Sequence, residues 1–269
     1  MARVIVITSG KGGVGKTTTT SNIGMSLARL GYSTLLIDAD VGLRNLDLLL
    51  GLENRIIYTG QDVLNASCRL EQALIQDKRQ PKLAFLPLSS NRVDLPISAK
   101  QIDTLLDKVK SDYEYILIDS PAGIDNGFQT AIECANEAIV IVTPEVPSIR
   151  DADRVIGILM AKGIKDINLI INRIRPNMVK TDDMMSIEDV TNILGISLLG
   201  VIPDSEQIIV ASNRGEPIVL EEKTCLPRIA FENTVKRLTG EDVKILDFDR
   251  STSKNPVRRI FKKFLNRSK

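Results

Sequence analysis

Short runs of consecutive apolar residues, separated by segments with helical spacing, form the pattern of this chain. Continuous apolar runs are typical of strands that are buried on both faces of a parallel sheet. Seven such runs occur, at residues 4–7, 33–37, 83–86, 115–118, 138–142, 167–171 and 198–202. Because helical patterns separate most of them, the sequence predicts repeated βα units. We therefore predict an α/β fold, a single domain with a doubly wound, mostly parallel sheet and a site at the carboxyl ends of its strands.

A glycine-rich segment lies between the first apolar run and a helical pattern over residues 18–30. The spacing Gly10-x4-Gly15-Lys16-Thr17 in that context is that of a P-loop. Its glycines let backbone N–H groups surround phosphate oxygens, and the following helix directs its positive dipole end at them. We expect Lys16 to reach the β- and γ-phosphates and the Thr17 hydroxyl to bind Mg²⁺. The predicted nucleotide-binding residues here are Gly10, Lys11, Gly12, Gly13, Val14, Gly15, Lys16, Thr17 and Thr18. The alternative is a glycine-rich turn without a ligand.

The lysine directly after the first glycine narrows the class, because most P-loops have no fixed residue there. The stretch from Lys11 to Thr18 resembles the signature of the deviant Walker A ATPases, which are SIMIBI-like P-loop NTPases. That family contains the MinD division ATPases, the ParA partition ATPases, the nitrogenase iron protein and the Mrp-type iron–sulfur carriers. The resemblance implies an ATP-dependent homodimer in which Lys11 reaches the phosphates of the partner subunit. The alternative for Lys11 is a solvated loop lysine.

Aspartates follow two of the apolar runs. Residues 38–47 resemble the family's switch I, and residues 119–123 resemble its Walker B and switch II segment. By resemblance the metal residues are Thr17, Asp38 and Asp119, and the catalytic residues are Lys11, Lys16 and Asp40. Asp40 would position the attacking water while the lysines neutralise phosphate charge. The implied switch residues are Asp38, Asp40, Gly42, Asn45, Asp119, Pro121 and Gly123. Aspartates at strand ends are also ordinary turn formers and helix caps, which is the alternative.

Two further strand ends resemble the segments that flank the adenine in this family. They carry Asn172 and Arg173 after one run, and Pro203 and Asp204 after another. The chain lacks the Asn-Lys-x-Asp motif of guanine-specific relatives, so ATP is favoured over GTP. Both segments could equally be loop starts.

A helical pattern runs from Pro147 to Met160, with apolar positions for the core on one side. Its polar side includes Arg150, Asp151 and Asp153, and a solvated face is the ordinary interpretation of such charges. In the MinD branch of the family, the matching stretch meets the division inhibitor MinC and the activator MinE. The resemblance therefore implies MinC-like and MinE-like partners at these three residues.

The carboxyl end of the chain has a different composition. After an ATPase domain over residues 1–239, we predict a loose polar linker over 240–255 and an amphipathic helix over 256–269. The apolar stripe of that helix is Val257, Ile260, Phe261, Phe264 and Leu265, and the cations opposite it include Arg258, Lys262 and Lys263. Such a segment is typical of helices that lie on an anionic membrane surface. The MinD branch carries its membrane-targeting helix at this place. A helix packed on the body and a nucleic-acid tail are the alternatives.

Charge and composition limit the remaining options. Residues 254–269 contain seven Lys or Arg and no acidic residue, so the rest of the chain carries about −6 against a total of +1. The absence of histidine excludes a Ser-His-Asp mechanism and any His-ligated metal. The chain contains no run of eighteen apolar residues, which a membrane-spanning helix would need. Because the first predicted strand begins within the first few residues, we expect no signal or transit peptide.

The resemblance runs from Arg3 to the end of the chain. It implies an ATP-hydrolysing, ATP-dependently dimerising, membrane-associating switch that places the division septum. This switch would be peripheral on the cytoplasmic side of the inner membrane, or in the plastid stroma and inner envelope if the chain is plastid-encoded. One alternative is a ParA-like ATPase that binds DNA non-specifically, which the acidic body disfavours; we expect no specific nucleic acid. The other is an iron–sulfur carrier, for which Cys68, Cys134 and Cys225 lack the paired spacing.

Overall fold

A computed structural model describes residues 2–40, 44–89 and 97–246 of the chain. Within these ranges eight strands form one sheet, in the order β3-β4-β2-β5-β1-β6-β7-β8. Their bounds are β1 Arg3–Thr8, β2 Thr34–Asp38, β3 Ile75–Gln76, β4 Leu83–Pro87, β5 Tyr115–Asp119, β6 Glu137–Val142, β7 Asp166–Ile174 and β8 Ser197–Pro203. All neighbours in the sheet pair in parallel except β3, which lies antiparallel to β4 at the edge. The predicted mostly parallel sheet is confirmed.

Helices connect the strands. In the described ranges they are α1 Lys16–Arg29, α2 Leu46–Leu50, α3 Gly60–Leu64, α4 Leu70–Ala73, α5 Ala99–Val109, α6 Asn126–Glu133, α7 Val146–Ala161, α8 Pro176–Lys180, α9 Ile187–Leu194, α10 Glu206–Asn213 and α11 Leu226–Leu238. Short 3₁₀ turns follow α2 and α10, at Glu53–Arg55 and Ile218–Leu220. Among the described helices, none is long and apolar enough to cross a membrane.

The sheet is covered on both faces, as its apolar runs predict. Successive side chains of β1 point to opposite faces. Val4 and Val6 pack in a core with α5, α6 and α7, whereas Ile5 and Ile7 pack in a second core with α1 and α11. All four side chains are almost completely buried. This two-layer covering makes the fold doubly wound and leaves the strand ends as the open edge of the sheet.

The P-loop strand lies in the middle of this edge. β1 pairs with β5 on one side and with β6 on the other, and these neighbours continue in opposite directions along the sheet. In such sheets the crevice for a ligand forms where the strand order reverses, outside the carboxyl ends of the strands. On the adjacent pair, Asp38 of β2 stands in register with Asp119 of β5. The predicted phosphate loop and two predicted metal residues therefore meet at one place.

Several boundaries differ from the sequence expectation. Asp38 and Asp119 are the last residues of their strands, and β7 extends to Ile174, so Asn172 and Arg173 lie inside it. The register between β7 and β8 shifts after Ile171, which allows the longer strand. The edge strand β3 was not predicted, because two residues are too few to show an alternating pattern.

The start of the predicted linker is packed rather than loose. Ile245 and Leu246 contact the apolar cores, and the Arg237 guanidinium donates to the carbonyl oxygens of Val243 (3.0 Å) and Lys244 (3.3 Å). The rest of the linker and the whole predicted membrane helix, with Val257, Arg258, Ile260, Phe261, Lys262, Lys263, Phe264 and Leu265, lie outside the described residues. Gly42 of the predicted switch I does so as well.

Candidate nucleotide-binding site

An open cavity of about 720 Å³ lies over the P-loop at the carboxyl edge of the sheet. Residues of the P-loop form its floor, together with the first turn of α1. One wall comes from Asp40, Asn45 and the segment around α2, and another from Arg173 and residues 212–215. A volume of this size is in the usual range for small-molecule and cofactor sites. The sequence-predicted phosphate loop therefore opens into a cavity of nucleotide size.

The P-loop backbone is held from below by a residue of β7. The Asn172 side chain is buried, and its Nδ2 donates to the Val14 carbonyl oxygen at 2.8 Å. Gly15 has a φ of 94°, and a Cβ there would lie 2.3 Å from the Asn172 Nδ2. Only glycine combines this left-handed conformation with such a close approach. The structure thus places Asn172 beneath the loop, and its predicted contact with adenine stays a prediction.

Lys16 and Asp119 form a buried ion pair at the start of α1. The Lys16 Nζ lies 3.3 Å from Asp119 Oδ1, and their side chains are 8% and 1% exposed. The Thr20 hydroxyl donates to the same oxygen at 3.0 Å, and the Thr17 side chain is a further polar neighbour of Asp119. Burial raises the pKa of Asp119, against the opposing effects of Lys16 and the two threonines. Lys16 therefore lies at the start of α1 with a countercharge already beside it.

The second carboxylate of this pair of strands is Asp38. Its Oδ1 accepts from the Asp40 backbone N–H at 3.0 Å, and its Oδ2 accepts from the Leu46 N–H at 3.2 Å. Burial is the main cause that raises the pKa of Asp38, and the neighbouring charge of Asp119 adds to it. Two buried carboxylates side by side are unfavourable as anions unless a further cation joins them.

These residues fit a magnesium ion. Within the described part of the chain, Asp119 Oδ2 is buried and has no hydrogen-bond partner, so one carboxylate lone-pair set is left open. Carboxylate and hydroxyl oxygens are the donors that Mg²⁺ prefers, and in nucleotide sites water and phosphate oxygens complete its shell. The described residues contain no group of three or more His, Cys, Asp or Glu side chains placed to hold a metal.

The switch residues surround this centre. Asp40 and Asn45 line the cavity, and Asn45 caps α2 by accepting from the Leu49 N–H through its carbonyl oxygen. On the other side, the Gly123 N–H donates to the Ser9 carbonyl oxygen at 3.2 Å, and Pro121 packs where a Cβ of Gly127 would come within 2.7 Å of it. Both predicted switches therefore contact the P-loop or its strand neighbours directly.

Lys11 lies apart from the buried Lys16–Asp119 ion pair. Its Nζ lies 4.0 Å from Glu145 Oε2 at the start of α7, and about half of both side chains is exposed. Beside it, Arg150 and Asp153 are exposed, and Asp151 is half-buried. The Asp151 backbone lies against the P-loop, where a Cβ on Gly10 would come within 2.4 Å of the Asp151 carbonyl carbon. The predicted partner surface on α7 is thus in direct contact with the phosphate loop.

The four residues predicted to flank the adenine do not all lie at the cavity. Arg173 lines the cavity with a φ of 59°, which is rare for a residue with a side chain and is held here by the irregular pairing of β7 with β8. Pro203 ends β8, and Asp204 forms an ion pair with Arg175 at 2.6 Å. Asn172, inside β7, and Pro203 and Asp204, at the end of β8, are not among the residues that line the described cavity.

Sequence reasoning missed part of the cavity wall. Leu48, Leu49 and Gly51 at the end of α2, and Ser212–Gly215 at the end of α10, line the cavity although no motif singled them out. The signals that could have found them are the two Gly positions that close short helices, since a left-handed glycine often ends a helix. The three cysteines, in contrast, are free thiols, and burial raises the pKa of Cys134 to about 12.

Comparison with known proteins identifies the family. The sequence model of the CobQ/CobB/MinD/ParA nucleotide binding domain matches residues 5–218. A putative septum site-determining protein MinD from Emiliania huxleyi is 66% identical over 268 residues, which cover 100% of this chain and 98% of the relative. The chain belongs to the MinD family. The resemblance inferred from the P-loop, the switches and the tail is thereby confirmed, and the function class of this MinD-family chain is that of a septum site-determining ATPase.

Solved structures of the MinD family have the same architecture. The MinD chain of a MinC:MinD cell division protein complex from Aquifex aeolicus is 48% identical, with a TM-score of 0.85, and the match covers 91% of this chain and 99% of that chain. A septum site-determining protein MinD complexed with Mg-ADP from Pyrococcus horikoshii OT3 is 28% identical, with a TM-score of 0.79. The match covers 89% of this chain and 97% of that chain. The single-domain P-loop fold is therefore that of the MinD family.

The contact between Asn172 and the P-loop makes a testable prediction. Asn172→Ala should weaken binding of ADP and GDP by a similar factor of about tenfold, because loss of a buried hydrogen bond leaves the Val14 carbonyl unpaired and loosens the loop. Equilibrium titration with both nucleotides measures this. A loss confined to ADP would show instead that Asn172 recognises adenine.

Proposed function

We propose that this chain is a Mg²⁺-dependent ATPase whose ATP-bound dimer associates with an anionic membrane surface and helps to place the division septum. The observation that carries the proposal is the buried Lys16–Asp119 pair under the P-loop, with Asp119 Oδ2 left without a hydrogen-bond partner among the described residues. A cation and an open carboxylate at the end of a glycine-rich loop are suited to a metal-bound triphosphate. The Mg-ADP bound to the Pyrococcus MinD supports the same ligand class.

The residues of the site divide the work of phosphoryl transfer. The P-loop N–H groups and Lys16 would bind the β- and γ-phosphates, and Thr17, Asp38 and Asp119 would hold Mg²⁺, which would supply positive charge beside the phosphates. Asp40 lines the cavity next to Asp38 and orients the attacking water. Catalysis of this kind consists mostly of positioning and electrostatic stabilisation.

Dimer formation is the proposed role of Lys11. Its Nζ is exposed at the cavity mouth rather than buried with Lys16, so it is free to reach a second subunit's phosphates. The surrounding surface also exposes the apolar side chains of Ile124 and Val146, which a subunit contact would cover. ATP would then join two copies through Lys11, and hydrolysis would separate them.

The partner surface is proposed for α7. Arg150, Asp151 and Asp153 present charge next to the P-loop, and the Aquifex relative was solved as a complex with MinC. A MinC-like inhibitor and a MinE-like activator would bind here. A shift of α7 on binding would change the position of Gly10, because the Asp151 backbone contacts it. The membrane helix predicted over residues 256–269 would complete the switch. The bacterial inner membrane and the plastid inner envelope are the candidate locations.

The test of the enzyme is the Asp40→Ala variant. Its steady-state ATP hydrolysis should fall about a hundredfold, because the group that positions the water is lost, whereas ADP affinity should change less than about threefold. Phosphate release and ADP titration measure the two effects. Glu188→Ala, a substitution of an exposed residue on α9, is the control and should change neither value. Equal hydrolysis by Asp40→Ala and the wild-type protein would refute the assigned role.

The DNA-partition alternative has its own test. The relative that is 66% identical is named a putative septum site-determining protein, and the chain outside residues 254–269 carries a net negative charge. The DNA-partition alternative therefore has less support. We expect the ATP-bound protein without residues 256–269 to show no binding to random-sequence duplex DNA at physiological salt. An electrophoretic mobility shift of that protein would instead favour a partition ATPase.

A further inference from the structure

Two walls of the cavity meet at a contact between two glycine backbones. α2 ends at Gly51, and the turn after α10 contains Gly215, with φ values of 61° and 67°. A Cβ on Gly215 would lie 2.8 Å from Gly51 Cα, and a Cβ on Gly51 would lie 2.9 Å from the Gly215 carbonyl oxygen. Both glycines line the cavity. The width of the cavity on this side therefore depends on how closely these two backbones stay together.

One guanidinium bridges the two walls at this contact. The Arg79 Nη2 donates to the Leu50 carbonyl oxygen at the end of α2, and its Nη1 donates to the Gly215 carbonyl oxygen at 3.2 Å. The last carbonyl groups of a helix have no partner within the helix, so an outside donor is needed there. Arg79 supplies that donor and fastens α2 to the opposite wall with the same group.

A buried carboxylate holds Arg79 in this orientation. Asp77 is 1% exposed, and it accepts from Arg79 Nε at 3.1 Å, from Nη2 at 2.6 Å and from the Arg79 backbone N–H at 2.7 Å. Its own N–H donates to the Leu83 carbonyl oxygen, which continues the pairing of edge strand β3 with β4. A planar guanidinium can bind a carboxylate along one edge and still donate from the other, and a lysine cannot.

The other end of α2 is tied to the metal carboxylate. The Leu46 N–H donates to Asp38 Oδ2, and Asp47, which is 2% exposed, pairs with Arg44 at 2.8 Å. The five-residue helix is thus fastened at its start to Asp38 and at its end to Arg79. The two hydrogen bonds therefore connect Asp38 and Arg79 through α2.

We propose that Arg79, oriented by Asp77, is a positioning residue of the nucleotide site that sets the spacing between α2 and residues 212–215. The inference rests on the proposed nucleotide-binding function. Arg79 is not among the residues that line the described cavity. It acts by keeping the two walls at the separation that a bound nucleotide requires.

The test compares full-length Arg79→Lys and Arg79→Ala with the matched control Lys78→Ala. Lys78 is exposed in the same segment, so its variant removes one charge without removing the bridge. Titration of Mg-ADP should show at least about a fivefold loss of affinity for both Arg79 variants and less than about a twofold change for Lys78→Ala. Hydrogen exchange of the nucleotide-free protein should rise in residues 46–52 and 211–216 of the Arg79 variants only, with the P-loop peptide unchanged.

Each outcome decides the proposal. Faster exchange at the two walls without loss of ADP affinity would make Arg79 merely structural, and loss of affinity without faster exchange would mean that it acts elsewhere. Faster exchange throughout the chain would also overturn the proposal, and Arg79→Lys, which keeps the charge beside Asp77, guards against a variant that fails to fold. If the wild-type protein binds no ADP, the proposed nucleotide site fails instead, so the two failures are distinguishable.

Discussion

Lys16→Ala should abolish measurable ATP hydrolysis and weaken ATP binding at least about a hundredfold, because a buried charge that pairs with its partner contributes several kcal/mol to binding. The Lys16 Nζ is buried at the start of α1, and among the described residues it is the lysine paired with Asp119 under the P-loop. The phosphates of a bound triphosphate would pair with the Lys16 ammonium group in place of Asp119. Isothermal titration with ATP, together with phosphate release, measures both effects.

Lys11→Ala is the contrasting variant. Because Lys11 is half-exposed and pairs only loosely with Glu145, its removal should leave ADP affinity within about threefold, as expected for a solvent-exposed ion pair. ATP-dependent dimerisation in sedimentation velocity should nevertheless be lost. If Lys11→Ala and Lys16→Ala lose ADP binding equally, the proposed division between a phosphate lysine and a bridging lysine is wrong.

The stability of Lys16→Ala has to be followed as well. Removing one partner of a buried pair leaves Asp119 as an uncompensated charge, which costs about 3–5 kcal/mol in comparable cases. Burial already raises the pKa of Asp119, so protonation of this carboxyl relieves part of that cost. Urea unfolding of the nucleotide-free variant therefore identifies the conditions under which the titration reports on folded protein.

Removal of residues 256–269 should abolish ATP-dependent sedimentation with anionic liposomes. One amphipathic segment of this length binds a membrane weakly, whereas two segments joined in an ATP dimer act together, and such linkage raises apparent affinity by about 10²–10⁴. The full-length protein should therefore pellet with ATP and remain mostly in solution with ADP. The truncated protein should remain in solution with either nucleotide.

A point substitution separates insertion from simple charge attraction. Ile260→Glu places a charge in the apolar stripe and should behave like the truncation, whereas Lys262→Gln should only weaken pelleting, by about 1 kcal/mol per cation near the membrane. If pelleting were the same with ATP and ADP, and with and without residues 256–269, these residues would have a structural role instead. The DNA-partition alternative would then gain support.

The P-loop contacts three separate segments of the chain. Its backbone meets Asp151 on α7, Gly123 in the predicted switch II and Asn172 in β7. Because these contacts are closely packed, a displacement of the loop would disturb all three of them. This arrangement supports communication between the proposed partner surface and the proposed site of hydrolysis.

The sequence alone determined the sheet, the P-loop and the family. Each of these depends on residues that are contiguous in the chain, since apolar runs fold as buried strands and glycine spacing dictates the loop backbone wherever it lies. Asp38, Asp40 and Asp119 were found in the same way, from their places after apolar runs. The amphipathic stripe of the tail is likewise a local pattern, and its membrane role stays a prediction.

Tertiary structure decided which distant residues support that loop and close its cavity. Asn172 holds the Val14 carbonyl from 158 positions away, and Arg79 joins the end of α2 to Gly215. Neither contact has a local signature, because each arises only when the strand order brings separate segments to one edge of the sheet. Asp119 Oδ2, which has no hydrogen-bond partner among the described residues, belongs to the same class, since its burial depends on the elements packed around β5.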